Sequence, residues 1–207
     1  MIPVKTLAVK YLANASQALS AALGAPRGYP ALGLITTDCD DATYIARDAA
    51  TKAAEVEVAY GSSFNAGAAN ASTPNAGEVI GILAARTPGA LRSGMEAAVS
   101  ALGRLGFEDV GVPCLAHTVS SVGSFLAKEA NVPPGSAIAY LIAPPLESMY
   151  ALDAALKAAD VTLRTLYAPP SPTNFGGALL SGTQSACDAA CSAFAEAVKE
   201  VANRPNE

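Results

Sequence analysis

Asp48-Ala49-Ala50-Thr51-Lys52-Ala53-Ala54-Glu55-Val56 reads as a helix end running into a strand. Nearly the same nine residues return 105 positions later, as Asp153-Ala154-Ala155-Leu156-Lys157-Ala158-Ala159-Asp160-Val161. Outward from these copies the parallel continues. Residues 7–26 and 115–134 span the same length, at an offset of 108. Pro26-Arg27-Gly28 parallels Pro134-Gly135-Ser136, and Ala31-Leu32-Gly33-Leu34-Ile35 falls on Ala139-Tyr140-Leu141-Ile142-Ala143. The drop in offset from 108 to 105 puts three extra residues in the first copy, between its strand and its helix. Further on, Gly177-Ala178-Leu179-Leu180-Ser181-Gly182 takes the place of residues 79–84, and a helix over 185–202 answers one over 88–102. The chain is therefore two copies of a unit of about 100 residues, each strand–helix–strand–helix–strand–loop–strand–helix. A period this long indicates tandem α/β domains, not a solenoid. The expected domains are 1–108 and 109–207, with the boundary inside 106–111.

Local signals support the reading. Residues 4–12 alternate as a strand. Asn14 and Gln17 stand as N-cap and N3 of a short helix that Gly24 and Pro26-Arg27-Gly28 stop. Residues 31–36 read as a strand, 42–54 as a helix and 56–60 as a strand. Pro88 sits near the first position of the helix over 88–102. Residues 61–77, rich in Gly, Asn, Ser and Ala, make a loop long enough to suspect a function.

The 207 residues are 51% hydrophobic and only 15% charged, with a net charge of -5. No cluster of Lys and Arg is present, which argues against nucleic acid. No apolar run reaches the roughly 18–20 residues a membrane span needs, and the first residues lack a signal-peptide pattern. These features lead to the expectation of a cytoplasmic protein. Cys39, Cys114, Cys187 and Cys191 fit no zinc spacing. Cys187 and Cys191 share a helix face, as small buried apolar residues would. His117, the only histidine, does not share a strand face with Cys114. No metal and no cofactor is expected.

Against this sparse charge, Thr36-Thr37-Asp38-Cys39-Asp40-Asp41 packs three carboxylates into four residues. One of them, Asp38 or Asp41, suffices to cap the following helix and complement its dipole. A calcium loop is a poor fit, because counting from Asp38 its sixth and twelfth positions are Thr43 and Ala49 instead of Gly and Glu. The other reading is a site in which these carboxylates converge with Glu78 on a small cation, through Coulomb attraction and charge-assisted hydrogen bonds. Clustered carboxylates repel, so at least one should titrate high.

Gly-Leu-Ile-x-x-Asp-x-Asp-Asp-x-Thr-Tyr-Ile-Ala over 33–46 resembles the EutL-like tandem-domain shell proteins of bacterial microcompartments. So do Ala143-Pro144-Pro145-Leu146-Glu147, both Asp-Ala-Ala-x-Lys-Ala-Ala-x-Val copies, Ala66-Gly67-Ala68-Ala69 and Ala76-Gly77-Glu78-Val79. The resemblance covers nearly the whole chain. It implies two tandem, circularly permuted shell domains, each a small, mainly antiparallel sheet flanked by helices. It also implies a homotrimer that mimics a hexagon and tiles edge to edge with other shell proteins. Such a trimer has a gated central pore and a small acidic pore in each subunit that takes a small polar metabolite such as ethanolamine. By position, the small-pore acids fall on Asp40, Asp41 and Glu78, with Asp38 and Thr36 behind them. The gate falls on Phe64, Asn65, Gly67, Asn70, Asn174, Phe175 and Gly176. The chain departs from the family pattern at Cys39, where a serine is familiar, and in a shorter N-terminus.

The sequence holds no nucleophile elbow, phosphate loop or dinucleotide fingerprint, and a single histidine limits acid–base chemistry. The expected role is structural and not enzymatic. The alternative of a different class is a soluble small-molecule sensor built of duplicated α/β domains.

Overall fold

In the computed structural model the described residues are 2–63, 78–109, 112–169 and 172–206. The chain forms two compact units. The N-terminal unit comprises Val4–Leu105 and Gly123–Phe125, and the C-terminal unit comprises Met1–Pro3, Gly106–Val122 and Leu126–Glu207.

The C-terminal unit begins with β1 (Ile2–Pro3). The N-terminal unit then runs β2 (Thr6–Leu12), α1 (Gln17–Ala22), β3 (Ala31–Thr37), α2 (Asp40–Ala53), β4 (Val56–Ser63), β5 (Val79–Ala85) and α3 (Pro88–Leu102). Next come β6 (Gly106–Asp109), β7 (Pro113–Val119), α4 (Ser124–Glu129), β8 (Ala137–Ala143), α5 (Pro145–Ala158), β9 (Val161–Tyr167), β10 (Gly176–Gly182) and α6 (Gln184–Asn203). The sheets run β2-β3-β5-β4 and β1-β6-β7-β8-β10-β9. Every pairing is antiparallel. The order β7-β8-β10-β9 repeats β2-β3-β5-β4, so the duplication read from the sequence is a duplication of topology. Strand β6 is an addition. It lies where the sequence places the boundary, within 106–111, and pairs Phe107 with Ile2 and Glu108 with Cys114.

Helix starts follow side-chain chemistry. Thr87 and Thr183 accept from the backbone N–H groups of Ala90 and Ala186, which fixes the first turns of α3 and α6. Helix α1 is capped by Ser16, whose hydroxyl accepts from Leu19 N, and not by Asn14 as its sequence suggests. In each unit a glycine turns the chain from the short helix into the next strand. Gly28 has φ +85° and Gly135 φ +88°, and the turns close through Tyr29 N to Pro26 O and Ser136 N to Pro133 O. Positive φ at this place is glycine's province. It equates Gly28 with Gly135, where the sequence parallel had set it against Ser136.

The strand alternation sorts the two faces of the N-terminal sheet. Leu32 clusters with Ile82 and Ala84 against Leu23, Ala25 and Tyr29. Gly33 faces the other way, onto Met95 and Leu91 of α3. In the C-terminal unit, Leu141, Ala178 and Leu180 pack with Phe194, Cys187 and Cys191 of α6 and with Cys114. All four cysteines are free and buried. Among the described residues no helix is long and apolar enough to cross a membrane.

Candidate functional site

The acidic stretch is the turn from β3 into α2, and its geometry is set by threonines. Thr37 Oγ1 lies 2.7 Å from Cys39 O and accepts from Cys39 N at 3.1 Å. Thr43 Oγ1 lies 2.7 Å from Thr37 Oγ1 and 2.9 Å from Cys39 O. Both threonines are fully buried, so this small network locks the strand end to the first turn of the helix. The cap is neither Asp38 nor Asp41. It is Cys39, whose Sγ accepts from Ala42 N at 3.4 Å. Burial drives the Cys39 thiol far up its titration range, and Asp41, Asp40 and Asp38 push it further. This sulfur is an inert cap.

With capping assigned to Cys39, the carboxylates take other places. Asp38 is exposed and accepts from the backbone N of Lys5 at 2.8 Å. Asp40 and Asp41 are buried in the first turn of α2, at the positive end of its macrodipole. Asp40 Oδ1 also accepts from Asp41 N. Glu78 meets this turn because its N–H donates to Thr37 O at 2.8 Å, just ahead of β5. Its half-buried carboxyl titrates above the usual carboxylate range, first through burial, then through the charges of Asp40 and Asp38. The structure thus sets Glu78 electrostatically against Asp40 and Asp38, while Asp41 bears most closely on Cys39. Neither Asp38, Asp40 nor Glu78 has an ion-pair partner among the described residues. Thr36 is half-buried and, by alternation, shares the sheet face of Leu32 and Leu34, opposite Thr37. Among the described residues no group of His, Cys, Asp or Glu has a metal-binding arrangement.

The asymmetry of the duplication is smaller than the sequence suggested. Two residues, Asp38 and Cys39, join β3 to α2, and one, Pro144, joins β8 to α5. The first unit therefore carries one extra residue here, not three. The strand runs at 31–35 and 139–143 had matched two positions out of register, while the alanine-rich helix runs matched in register. Where α2 opens on Asp40-Asp41, α5 opens on Pro145-Leu146, with no side-chain cap.

Sequence reasoning missed Arg47. It is 2% exposed, with its guanidinium 4.4 Å from the Tyr44 ring centre and 4.7 Å from that of Phe125. Its Nη1 donates to Tyr60 O at 3.2 Å. A Cβ at Gly61 would fall 1.7 Å from that nitrogen. Glycines at 61 and 81, inside strand runs, were the available signal of a close approach. Tyr44 carries the contact onward, hydrogen-bonding Ser63 at the end of β4.

Of the gate residues, Phe64, Asn65, Gly67 and Asn70 lie outside the described residues. Asn174 is exposed with φ +63°. Phe175 packs on Phe107, ring centres 6.0 Å apart. Gly176 opens β10 against Ser148. His117 is half-buried and pairs in register with Tyr140.

The BMC domain family model matches residues 31–112. The bacterial microcompartment shell protein EutL of Clostridium perfringens is 54% identical over 210 residues, which cover 99% of this chain and 97% of that protein. EutL of Escherichia coli is 44% identical, with 99% and 96% covered. The crystal structure of the ethanolamine utilization protein EutL from Leptotrichia buccalis superposes with a TM-score of 0.96 at 52% identity, covering 100% of this chain and 97% of that one.

Proposed function

Because the chain belongs to the EutL family of bacterial microcompartment shell proteins, we propose that its acidic β3–α2 turn lines a small passage in a homotrimeric shell tile. The role in the shell is structural and not enzymatic. The permeant this passage suits is a small primary amine with a hydroxyl, such as ethanolamine. An ammonium offers three donors to carboxylates that have none among themselves. The observation that carries the reading is Glu78, half-buried and titrating high beside Asp40 and Asp38, with no cation of the described residues paired to it. A charged guest would relieve that repulsion. The tile would meet other shell proteins edge to edge, and Asn174, Phe175 and Gly176 would belong to the gate of a central pore. Support for the gate is the left-handed backbone at Asn174 beside the packed ring of Phe175.

Calorimetry tests the passage. Ethanolamine should bind the parent protein, and Asp40→Asn with Glu78→Gln should weaken binding about tenfold or more, while sedimentation still reports the trimer. Unchanged binding in the double variant sinks the assignment of these acids.

A further inference from the structure

We infer that a second site, at the opposite end of β5 from Glu78, binds the phosphate group of a small organic phosphate. Glu78 immediately precedes β5 and Arg86 immediately follows it. Seven strand residues separate them by roughly 25 Å, so the two sites share a strand and nothing else. Arg86 borders a cavity of about 910 Å³, walled by α1, the chain leading into it and residues 25–30. That volume lies in the range of small-molecule pockets, roughly 300–1,000 Å³.

The charge of this cavity is against the trend of the molecule. The chain carries a net charge of -5, yet the cavity wall includes Arg27 and Arg86 and not one Asp or Glu. Neither arginine forms an ion pair among the described residues. Arg86 is also aimed. Its guanidinium stacks 4.7 Å from the Tyr29 ring centre. Its Nη1 lies close over the backbone of Gly28, only 3.6 Å from where a Cβ would stand there. Stacking occupies the face of the guanidinium and leaves its N–H edges to donate in the plane. The Pro26–Tyr29 turn, held by Tyr29 N to Pro26 O at 3.1 Å, sets Arg27 on the same rim. In the wall, the buried hydroxyl oxygen of Ser20 has no hydrogen-bond partner.

Two guanidinium forks from separate segments suit a tetrahedral dianion, whose oxygens spread in several directions, better than one planar carboxylate. Inorganic phosphate alone leaves most of the cavity unfilled. Ala15, Ala21, Ala25 and Pro30 give the remaining wall an apolar surface on which a short carbon body can lie.

The test is isothermal calorimetry of the full chain with glycerol 3-phosphate and, separately, inorganic phosphate. Glycerol 3-phosphate should bind saturably and more tightly than inorganic phosphate. Arg86→Gln and Arg27→Gln should each weaken it about tenfold, and Arg86→Lys, which keeps the charge and loses the fork, less. Lys128→Gln, an exposed cation of the C-terminal unit, should leave binding unchanged. Both arginines are exposed, so melting temperatures near the parent's are expected, and Arg27→Gln carries the test if Arg86→Gln fails to fold. Saturation by inorganic phosphate alone leaves an inorganic-anion site and overturns the organic phosphate. No saturation, or equal losses in Lys128→Gln, overturns the site. Because Asp40 and Glu78 are untouched, ethanolamine binding in the same variants reports separately on the acidic turn.

Discussion

Cys39 and Glu78 hold the chemistry of the acidic turn. A sulfur cap is weaker than a hydroxyl one, and the turn compensates with the Thr37–Thr43 network around the Cys39 carbonyl. Nothing about Thr37 in the sequence set it apart from Thr36, because register decides which of two adjacent threonines is buried. Glu78 leads to a signed prediction. Its folded carboxyl titrates above the usual range, so the folded state holds that proton more tightly than the unfolded state does. The associated stability is fully present below the unfolded pKa and is lost as pH rises through the folded one. Glu78→Gln keeps the shape and removes the charge. Its melting temperature should match the parent's near pH 4 and exceed it at pH 7. Equal melting temperatures at both pH values would show that the carboxyl is not strained by its neighbours.

At the scale of elements, α2 and α5 show how much of a duplication the sequence displays. Their Asp-Ala-Ala-x-Lys-Ala-Ala runs revealed the repeat, because equivalent helices keep the same small residues where they meet a neighbour. Yet the shared Asp–Lys pair is not energetically shared. Asp48 is fully buried, 3.3 Å from Lys52, and accepts from Gly123 N at 2.8 Å. Asp153 pairs with Lys157 in solvent, its side chain 65% exposed, where an ion pair contributes little. Burial is set by the partner segment, and a single sequence does not display its partner. The same holds for Arg47, which composition places on the surface and the fold places between two aromatic rings. Its fit against β4 is testable as a coupling. Gly61→Ala drives a methyl into Nη1 and should cost about 2–3 kcal/mol in urea denaturation, as overpacking does. In an Arg47→Ala background the same change should cost under about 1 kcal/mol, since the two residues form one contact. Additive costs would mean that Gly61 is constrained by something other than Arg47.

At the scale of the molecule, the two units share one strand order. The antiparallel sheets were expected from the family resemblance, since periodicity does not show which strands pair, whereas the duplication was legible because apolar strands and capped helices recur in step. The pairing of Ile2–Pro3 with β6 was not, because two residues carry no periodicity. The register of the acidic turn was not either, because apolar strand runs such as 31–35 and 139–143 still match when slid by two residues. The proposed lateral assembly would cover apolar side chains that the separate chain leaves exposed. Leu146 and Tyr150, one turn apart on α5, are 64% and 51% exposed. Lone surface apolar residues are ordinary, and two large ones a turn apart make this face of α5 the place to test for a contact. We predict that concentrated protein forms layered or hexagonally packed sheets in negative stain, and that Leu146→Asp reduces particle size in light scattering without lowering the melting temperature, because the side chain touches solvent and not the core. Discrete particles from the parent protein under every condition would count against the tile. Sheets unchanged by Leu146→Asp would keep the tile and move its contacts to another surface.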